Sequence, residues 1–298
     1  MQLITLPEGA HDNITVDVLR LDRLHPVISG NKWFKLKNYL HEAQRSAANP
    51  VITFGGAWSN HLLATAFAAR EARLDAVGIV RGEKPPVLST TLSAALGYGM
   101  RLEFISRRDY NEKSSAHYLR ELSLRYPGAY IIPEGGAGPP GIRGSEDILR
   151  ITDTSRYTHI LCAIGTGTMF QGLIRASLPG QSVIGVPVLK GVDPLANIDP
   201  LADTDPSILS PDQSERAHVL HGYHFGGYAR HPQELIDFMN EFYRETAIPS
   251  DIVYTGRLFY ALRDSIRRDF FPGSSKILVI HSGGLQGNGS LKPGTLHF

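Results

Sequence analysis

The chain has 298 residues, with 30 basic and 29 acidic side chains and 42% hydrophobic residues. A formal net charge of +1 leaves no sequence-wide electrostatic footprint for DNA, RNA or an anionic membrane, and a single cysteine, Cys162, excludes an internal disulfide or a cysteine-rich zinc site. The opening MQLITLPEGAHDN has no basic segment followed by an apolar run, so it does not read as a secretory signal. No stretch reaches the ~18 apolar residues of a membrane span, and the expectation is a reduced, cytoplasmic protein.

Glycines and prolines punctuate short apolar runs, which predict strands at Ile14–Leu19, Val51–Phe54, Ala76–Val80, Arg101–Ile105, Tyr130–Ile132, His159–Ala163, Ser182–Val188 and Lys276–His281. Helical periodicity fills most of the intervals: Phe34–Ala47, Ser59–Ala72, Ser89–Gly97, Asn111–Tyr126, Thr168–Ser177, Pro232–Thr246 and Gly256–Arg268. Such alternation predicts an α/β protein whose parallel sheets carry helices on both faces. Val51–Tyr130 reads as a βαβαβ unit. The cluster Pro133-Glu134-Gly135-Gly136-Ala137-Gly138-Pro139-Pro140-Gly141 reads as a turn and lobe boundary, and a second boundary lies near Ala47–Pro50. The predicted architecture is two-lobed: a discontinuous large domain of residues 1–47 and 141–298, and a small domain of residues 48–140. Ligands in such folds sit beyond the carboxyl ends of strands and between lobes.

Four segments carry candidate chemistry. In Ser29-Gly30-Asn31-Lys32-Trp33-Phe34-Lys35, two amines fall three apart at the mouth of a helix, suited to one nucleophile and one phosphate contact, or to a solvated basic face. In Gly55-Gly56-Ala57-Trp58-Ser59-Asn60-His61, an apolar strand runs into Gly-Gly and then a helix start, where free N–H groups and the Ser59 hydroxyl suit a carboxylate; Ser59 also reads as an N-cap. The strand–turn–helix Gly165-Thr166-Gly167-Thr168 reads as a phosphate cradle. It lacks the third glycine and the acidic residue of a dinucleotide fingerprint and the Gly-Lys of a P-loop. Tyr228, after Gly226-Gly227, and Tyr254, before Thr255-Gly256, can lay a ring on a planar ligand or move a proton. His218, His221 and His224 share a spacing of three, but Gly222 disfavours the helix that would gather them, so no metal is expected.

Together these segments resemble the pyridoxal-phosphate enzymes of the aminocyclopropane-carboxylate deaminase and D-cysteine desulfhydrase family. Gly30-Asn31-Lys32 with Lys35-Leu36 is similar to the cofactor-lysine segment, Gly55-Gly56 with Ser59-Asn60-His61 to the substrate-carboxylate loop, and Gly165–Thr168 to the phosphate loop. Pro133–Gly136 with Gly141 and Gly144 resembles the interlobe segment, and Val253-Tyr254-Thr255-Gly256 the ring-stacking segment. The resemblance implies the tryptophan-synthase-β-like fold, fold type II of these enzymes, with pyridoxal phosphate between the lobes. It further implies that Lys32 carries the cofactor covalently and that Lys35 and Gly165-Thr166-Gly167-Thr168 hold its phosphate. Asn60 would then meet the ring oxygen, Tyr254 would stack on the ring, and Thr255 would face the ring nitrogen. Ser59, with Asn60 and His61, would bind substrate, Ser59 holding its carboxylate or relaying a proton, and Tyr228 would act as acid or base. Where the ring-opening branch has Glu, Thr255 offers only a neutral hydroxyl, which favours β-elimination of a small amino acid to a 2-oxo acid and ammonia over ring opening. A D-cysteine desulfhydrase-like activity in a homodimer is the expected reading. Aminocyclopropane-carboxylate deamination, a nucleotide-dependent oxidoreductase and a non-catalytic metabolite-binding descendant are its rivals. Two departures from the family, the bulk of Trp58 and a short N-terminal region, bear on the substrate.

Overall fold

The computed structural model describes residues 1–4, 13–190 and 209–298; residues 5–12 and 191–208, part of the opening segment and of the expected large domain, lie outside the description. The small sheet comes from β3 (Val51–Gly55), β4 (Ala76–Arg81), β5 (Arg101–Ile105) and β6 (Tyr130–Ile131), all parallel, in the order β5-β4-β3-β6. Helices α2 (Asn60–Glu71) and α3 (Thr90–Gly97) make the crossovers, while α4 (Arg107–Asn111) and α5 (Ala116–Arg125) follow β5. The large sheet joins β1 (Gln2–Ile4), β2 (Thr15–Arg20), β7 (His159–Ile164), β8 (Ser182–Pro187), β9 (Ala217–Val219) and β10 (Lys276–His281) in the order β1-β2-β10-β7-β8-β9. Only the β1–β2 pair is antiparallel.

The central strands are buried along nearly their whole length, which is why they read as unbroken apolar runs rather than as alternating patterns. One face of the large sheet packs on α9 (Gln233–Thr246) and α10 (Thr255–Arg267) through Phe238, Phe242, Leu258 and Phe259. Its other face packs on α6 (Pro139–Arg150) and α7 (Thr168–Ala176) through Ile148, Phe170 and Leu173. The long helix α1 (Asn31–Arg45) serves both lobes: Phe34 joins the large-lobe core, and Leu36, Tyr39 and Ala43 join the small-lobe core. Its first turn, which carries Lys32 and Lys35, is thereby placed at the seam. Among the described residues no helix is long and apolar enough to cross a membrane.

Three differences from the sequence reading have local causes. The turn cluster ends early, because Pro139 and Pro140 open α6, where a missing N–H is harmless. Gly141 and Gly144 within that helix permit close approach rather than a turn: a Cβ on Gly144 would lie 2.0 Å from the Phe34 carbonyl of α1. The single helix expected at Asn111–Tyr126 is two helices, because the Ser106 and Ser115 hydroxyls each cap a separate start. The edge strands β1 and β9 have three residues each, too few to show a period. A further short helix, α8 (Pro211–Glu215), precedes β9. His218 lies on β9 with His221 and His224 in the following turns, so their spacing of three does not gather them on one helical face.

Candidate active site

A cleft of about 550 Å³, counted to its open mouth, lies beyond the carboxyl ends of β7 and β10 and against the starts of α1, α2 and α7. Lys32, Lys35, Asn60, Gly165, Thr166, Gly167 and Tyr254 line it, together with Ser29, Asn31 and Ser282-Gly283-Gly284. Of the residues expected from sequence, Ser59, His61, Thr168, Tyr228 and Thr255 stand outside this lining.

The position of Lys32 is set by backbone interlock. Gly30 adopts φ 71°, and a Cβ there would lie 1.7 Å from the Ser282 carbonyl oxygen, so only glycine lets the turn before α1 seat against the end of β10. The Asn31 N–H donates to that carbonyl at 3.0 Å, and Gly283 closes on Gly30 from the other side. Lys32 Nζ points into the cleft, where it donates to Asn31 Oδ1 at 3.2 Å. Burial pulls its pKa down to about 8, against the opposing pull of Asp251. About a tenth of the amines at that pKa are uncharged at pH 7, against fewer than about one in a thousand for an ordinary lysine. Lys35, one turn on, is 4% exposed, and among the described residues no carboxylate pairs with it. Burial, then the neighbouring charge of Lys32, holds it well below the usual lysine range.

Facing these amines, β7 runs into Gly165-Thr166-Gly167 and α7. Gly167 is left-handed, and the first intrahelical bond runs only from Gln171 N–H to the Gly167 carbonyl, leaving the preceding N–H groups free of helix partners. The Thr166 and Thr168 hydroxyls are paired at 2.9 Å. The result is a donor-rich, positively polarised helix start beside the buried Lys35 amine, a cradle for phosphate. The Tyr254 ring closes the site. A Cβ on Gly165 would stand 2.9 Å from Tyr254 Cε1, so the glycine makes room for the ring. Asp251 fixes Tyr254 by accepting from the Val253 and Tyr254 N–H groups at Oδ2 (2.9 and 3.0 Å) and from the Thr255 N–H and hydroxyl at Oδ1 (2.8 and 2.7 Å). Thr255 also accepts from the Asp251 N–H at 2.7 Å. Its hydroxyl proton, expected to serve a ligand nitrogen, is therefore engaged by Asp251.

The small-lobe wall is arranged otherwise. The Asn60 amide donates to the Gly284 carbonyl at 2.9 Å, which ties the two lobes, and leaves Oδ1 buried without a partner. Ser59 caps α2 by accepting from the Leu62 N–H at 3.2 Å. His61 is 3% exposed, and the expected substrate contact is not where its ring points: Nε2 meets the Thr53 hydroxyl at 2.8 Å. Thr53 donates to the Ile132 carbonyl, so Nε2 must carry the proton, and Nδ1 is left as a buried acceptor with no partner. Burial, reinforced by Lys32 and Lys35, keeps this imidazole neutral. Trp58 packs on Gly289 of the C-terminal segment, where a Cβ would lie 2.5 Å from the indole. Tyr228 is 51% exposed at the outer side of the site.

Asn31 and the Ser282–Gly284 turn were missed by residue-type reasoning. The signal available was the apolar run Lys276–His281 ending in Ser-Gly-Gly, the same strand-to-glycine pattern as Phe54-Gly55-Gly56.

A buried lysine amine beside a polarised helix start, a second amine with a lowered pKa, a ring shelf and an unpartnered amide oxygen together fit a phosphorylated aromatic aldehyde. The comparisons agree with that chemistry. A family model described as pyridoxal-phosphate dependent enzyme matches residues 2–283. A putative 1-aminocyclopropane-1-carboxylate deaminase of Pyrococcus horikoshii is 30% identical over 274 residues, covering 87% of this chain and 81% of that protein. The bifunctional D-cysteine desulfhydrase/1-aminocyclopropane-1-carboxylate deaminase, mitochondrial, of Arabidopsis thaliana is 29% identical over 280 residues, covering 87% and 70%. Among solved structures, a homologue of the same deaminase superposes with a TM-score of 0.78 at 25% identity, covering 96% of this chain and 89% of the other.

Proposed function

The chain belongs to the pyridoxal-phosphate-dependent enzymes, in the aminocyclopropane-carboxylate deaminase and D-cysteine desulfhydrase family of fold type II, and from that premise we propose that it is a lyase that converts a small amino acid by β-elimination to a 2-oxo acid and ammonia. The observation that carries the reading is Lys32: an amine brought to a pKa of about 8 by burial, held in the cleft opposite a phosphate cradle and beside the Tyr254 ring.

When bound, pyridoxal phosphate supplies a carbonyl for covalent attachment and a ring that withdraws the electron pair left at the substrate Cα. Lys35 and the Gly165–Thr168 turn would hold its phosphate, the Tyr254 face would support its ring, and Asn60 Oδ1 would accept from the ring hydroxyl. The Ser59 hydroxyl and the first N–H groups of α2 would hold the substrate carboxylate. Lys32 Nζ would take the proton from Cα. Tyr228, whose phenol burial raises, stays protonated at neutral pH and would give its proton to the departing β-substituent. With D-cysteine and one water, the products balance as pyruvate, ammonia and hydrogen sulfide.

Elimination is preferred to ring opening because Thr255 is a neutral hydroxyl. One observation favours the second reading: that hydroxyl is bonded to the buried carboxylate of Asp251, which stands one hydrogen bond behind the place where the ring-opening branch carries its own acid. The test is to give the cofactor-loaded protein D-cysteine, L-cysteine, D-serine, β-chloro-D-alanine and aminocyclopropane carboxylate in parallel and to measure 2-oxo acid and ammonia. Thiol or chloride elimination exceeding ring opening supports the first reading; faster ring opening replaces it with the second.

A further inference from the structure

Among the described residues Arg257 is the largest side chain that the fold buries completely, and no described carboxylate forms an ion pair with it. A guanidinium buried in this way is expensive unless its protons are used, and an apolar side chain would fill the space at less cost. Its Nη protons go to backbone, while the Nε proton is buried without a partner among the described residues. Nη1 donates to the Val188 carbonyl just past β8 at 2.7 Å, and Nη2 donates to the Gly227 and Arg230 carbonyls at 2.9 and 2.7 Å. The last two carbonyls flank Tyr228. On α10, Arg257 stands three residues after Tyr254, on the same helical face, so one side of one helix carries the ring shelf and the clamp on the opposing phenol.

The clamped loop needs such support. Phe225, Gly226, Gly227 and Ala229 have φ of 48°, 90°, 120° and 56°. Two of these residues carry a Cβ, and a left-handed run of this kind persists only where its surroundings over-determine it. Within the loop, the Gly227 carbonyl also accepts from the Arg230 N–H at 3.2 Å, so the Arg257 contact locks a turn that is already forming. Charge-assisted bonds to three carbonyls from one rigid fork suit that task better than a flexible ammonium.

We propose that Arg257 is a positioning residue: by tying both sides of Tyr228 to α10 it sets the distance between the Tyr228 phenol and the ring held by Tyr254, and so the proton delivery to the leaving group. This rests on the reading of Tyr228 as the proton donor. The guanidinium also lies near enough to both phenols to oppose the upward push of burial, together with Arg81 at Tyr228.

The experiment compares Arg257→Met, Arg257→Lys, Tyr228→Phe and the Tyr228→Phe/Arg257→Met double variant in the full cofactor-loaded chain. D-Cysteine, whose departing sulfur takes up a proton where chloride would take none, is the elimination probe, and hydrogen exchange of residues 225–231 is followed on the same samples. In Arg257→Met the loop amides are expected to exchange at least about tenfold faster while β10 is unchanged. The same variant should lose about thirtyfold or more in kcat with KM held within about threefold. Arg257→Lys should recover only part of both losses, and the double variant should be no more than about threefold slower than the slower single one. Loop exchange that stays at the wild-type rate in Arg257→Met, or kcat preserved although the loop has loosened, overturns the proposal. Should Arg257→Met fail to fold, Arg257→Lys decides by the same two readouts at smaller amplitude. If Tyr228→Phe eliminates hydrogen sulfide at the wild-type rate while Arg257→Met loosens the loop, the reading of Tyr228 falls and the clamp stands. If the wild-type chain eliminates nothing, the exchange rates alone decide the clamp.

Discussion

The large-lobe wall of the cleft is assembled from interlocking backbone, whereas the small-lobe wall is assembled from helix caps and inward-facing side chains. On the first, Gly30, Gly165 and Gly283 allow contacts that any Cβ would block, and Lys32, Lys35, Thr166 and Tyr254 already face the cavity. On the second, Ser59 caps its own helix, His61 bonds to Thr53, and Asn60 lines the cavity together with Gly135. The contrast teaches that the large-lobe side chains already face the cavity, while the Ser59 hydroxyl and the His61 ring are engaged within the small lobe.

The largest test of this contrast is Lys32→Ala, expected to lower turnover by about a thousandfold or more, because the attachment and the base are lost together. An equal loss in Lys35→Ala with Lys32→Ala still active would exchange the roles of the two amines. Lys35→Met comes next. Removing the cation opposite the cradle should weaken binding of pyridoxal phosphate by about 10- to 100-fold, the worth of one charge-assisted hydrogen bond, read by titration of the cofactor-free protein. The same variant should change the pH dependence of stability in a known direction. Since the folded state holds the Lys35 pKa below that of the unfolded chain, the unfolded chain binds more protons, and the stability of the cofactor-free protein rises with pH up to the ordinary lysine pKa. Thermal melts should lose that rise in Lys35→Met.

Much of the fold was legible because parallel strands buried on both faces are written as plain apolar runs: β2 to β5 and β10 lie within a residue or so of their expected bounds. What was not legible depended on partners distant in sequence. Gly141 looks like a turn residue until the Gly136 carbonyl is placed against it, and Gly144 shows its use only when α1 packs on it. Ser282-Gly283-Gly284 carries no chemistry by residue type, and it acquires a role only because Gly283 and Gly30 meet across some 250 residues. In the site, the amines, the glycine-threonine turn and the tyrosine were readable from local pattern. The Asp251 engagement of Thr255 and the Thr53 engagement of His61 were not, because hydrogen-bond partners decide which atoms remain free.

Smaller effects sharpen the comparison. The rate at which the cofactor-free protein captures pyridoxal phosphate should rise with pH through about 8, by roughly tenfold per unit below it. Only the uncharged amine attacks, so a midpoint near the ordinary lysine value would mean that Lys32 is not desolvated as the structure places it. Ser59→Ala should cost about 1 kcal/mol of stability through the lost cap, read by chemical denaturation. A concurrent rise in KM would show that the capping hydroxyl also meets the substrate, and an unchanged KM would confine it to the helix.

The central claim is that Lys32 is the point of attachment. Borohydride reduction of the cofactor-loaded protein, followed by proteolysis and mass spectrometry, reads it directly. The account predicts a pyridoxyl mass on the peptide bearing Lys32 and at that residue; the same mass on Lys35 or Lys37, with Lys32 unmodified, would contradict it.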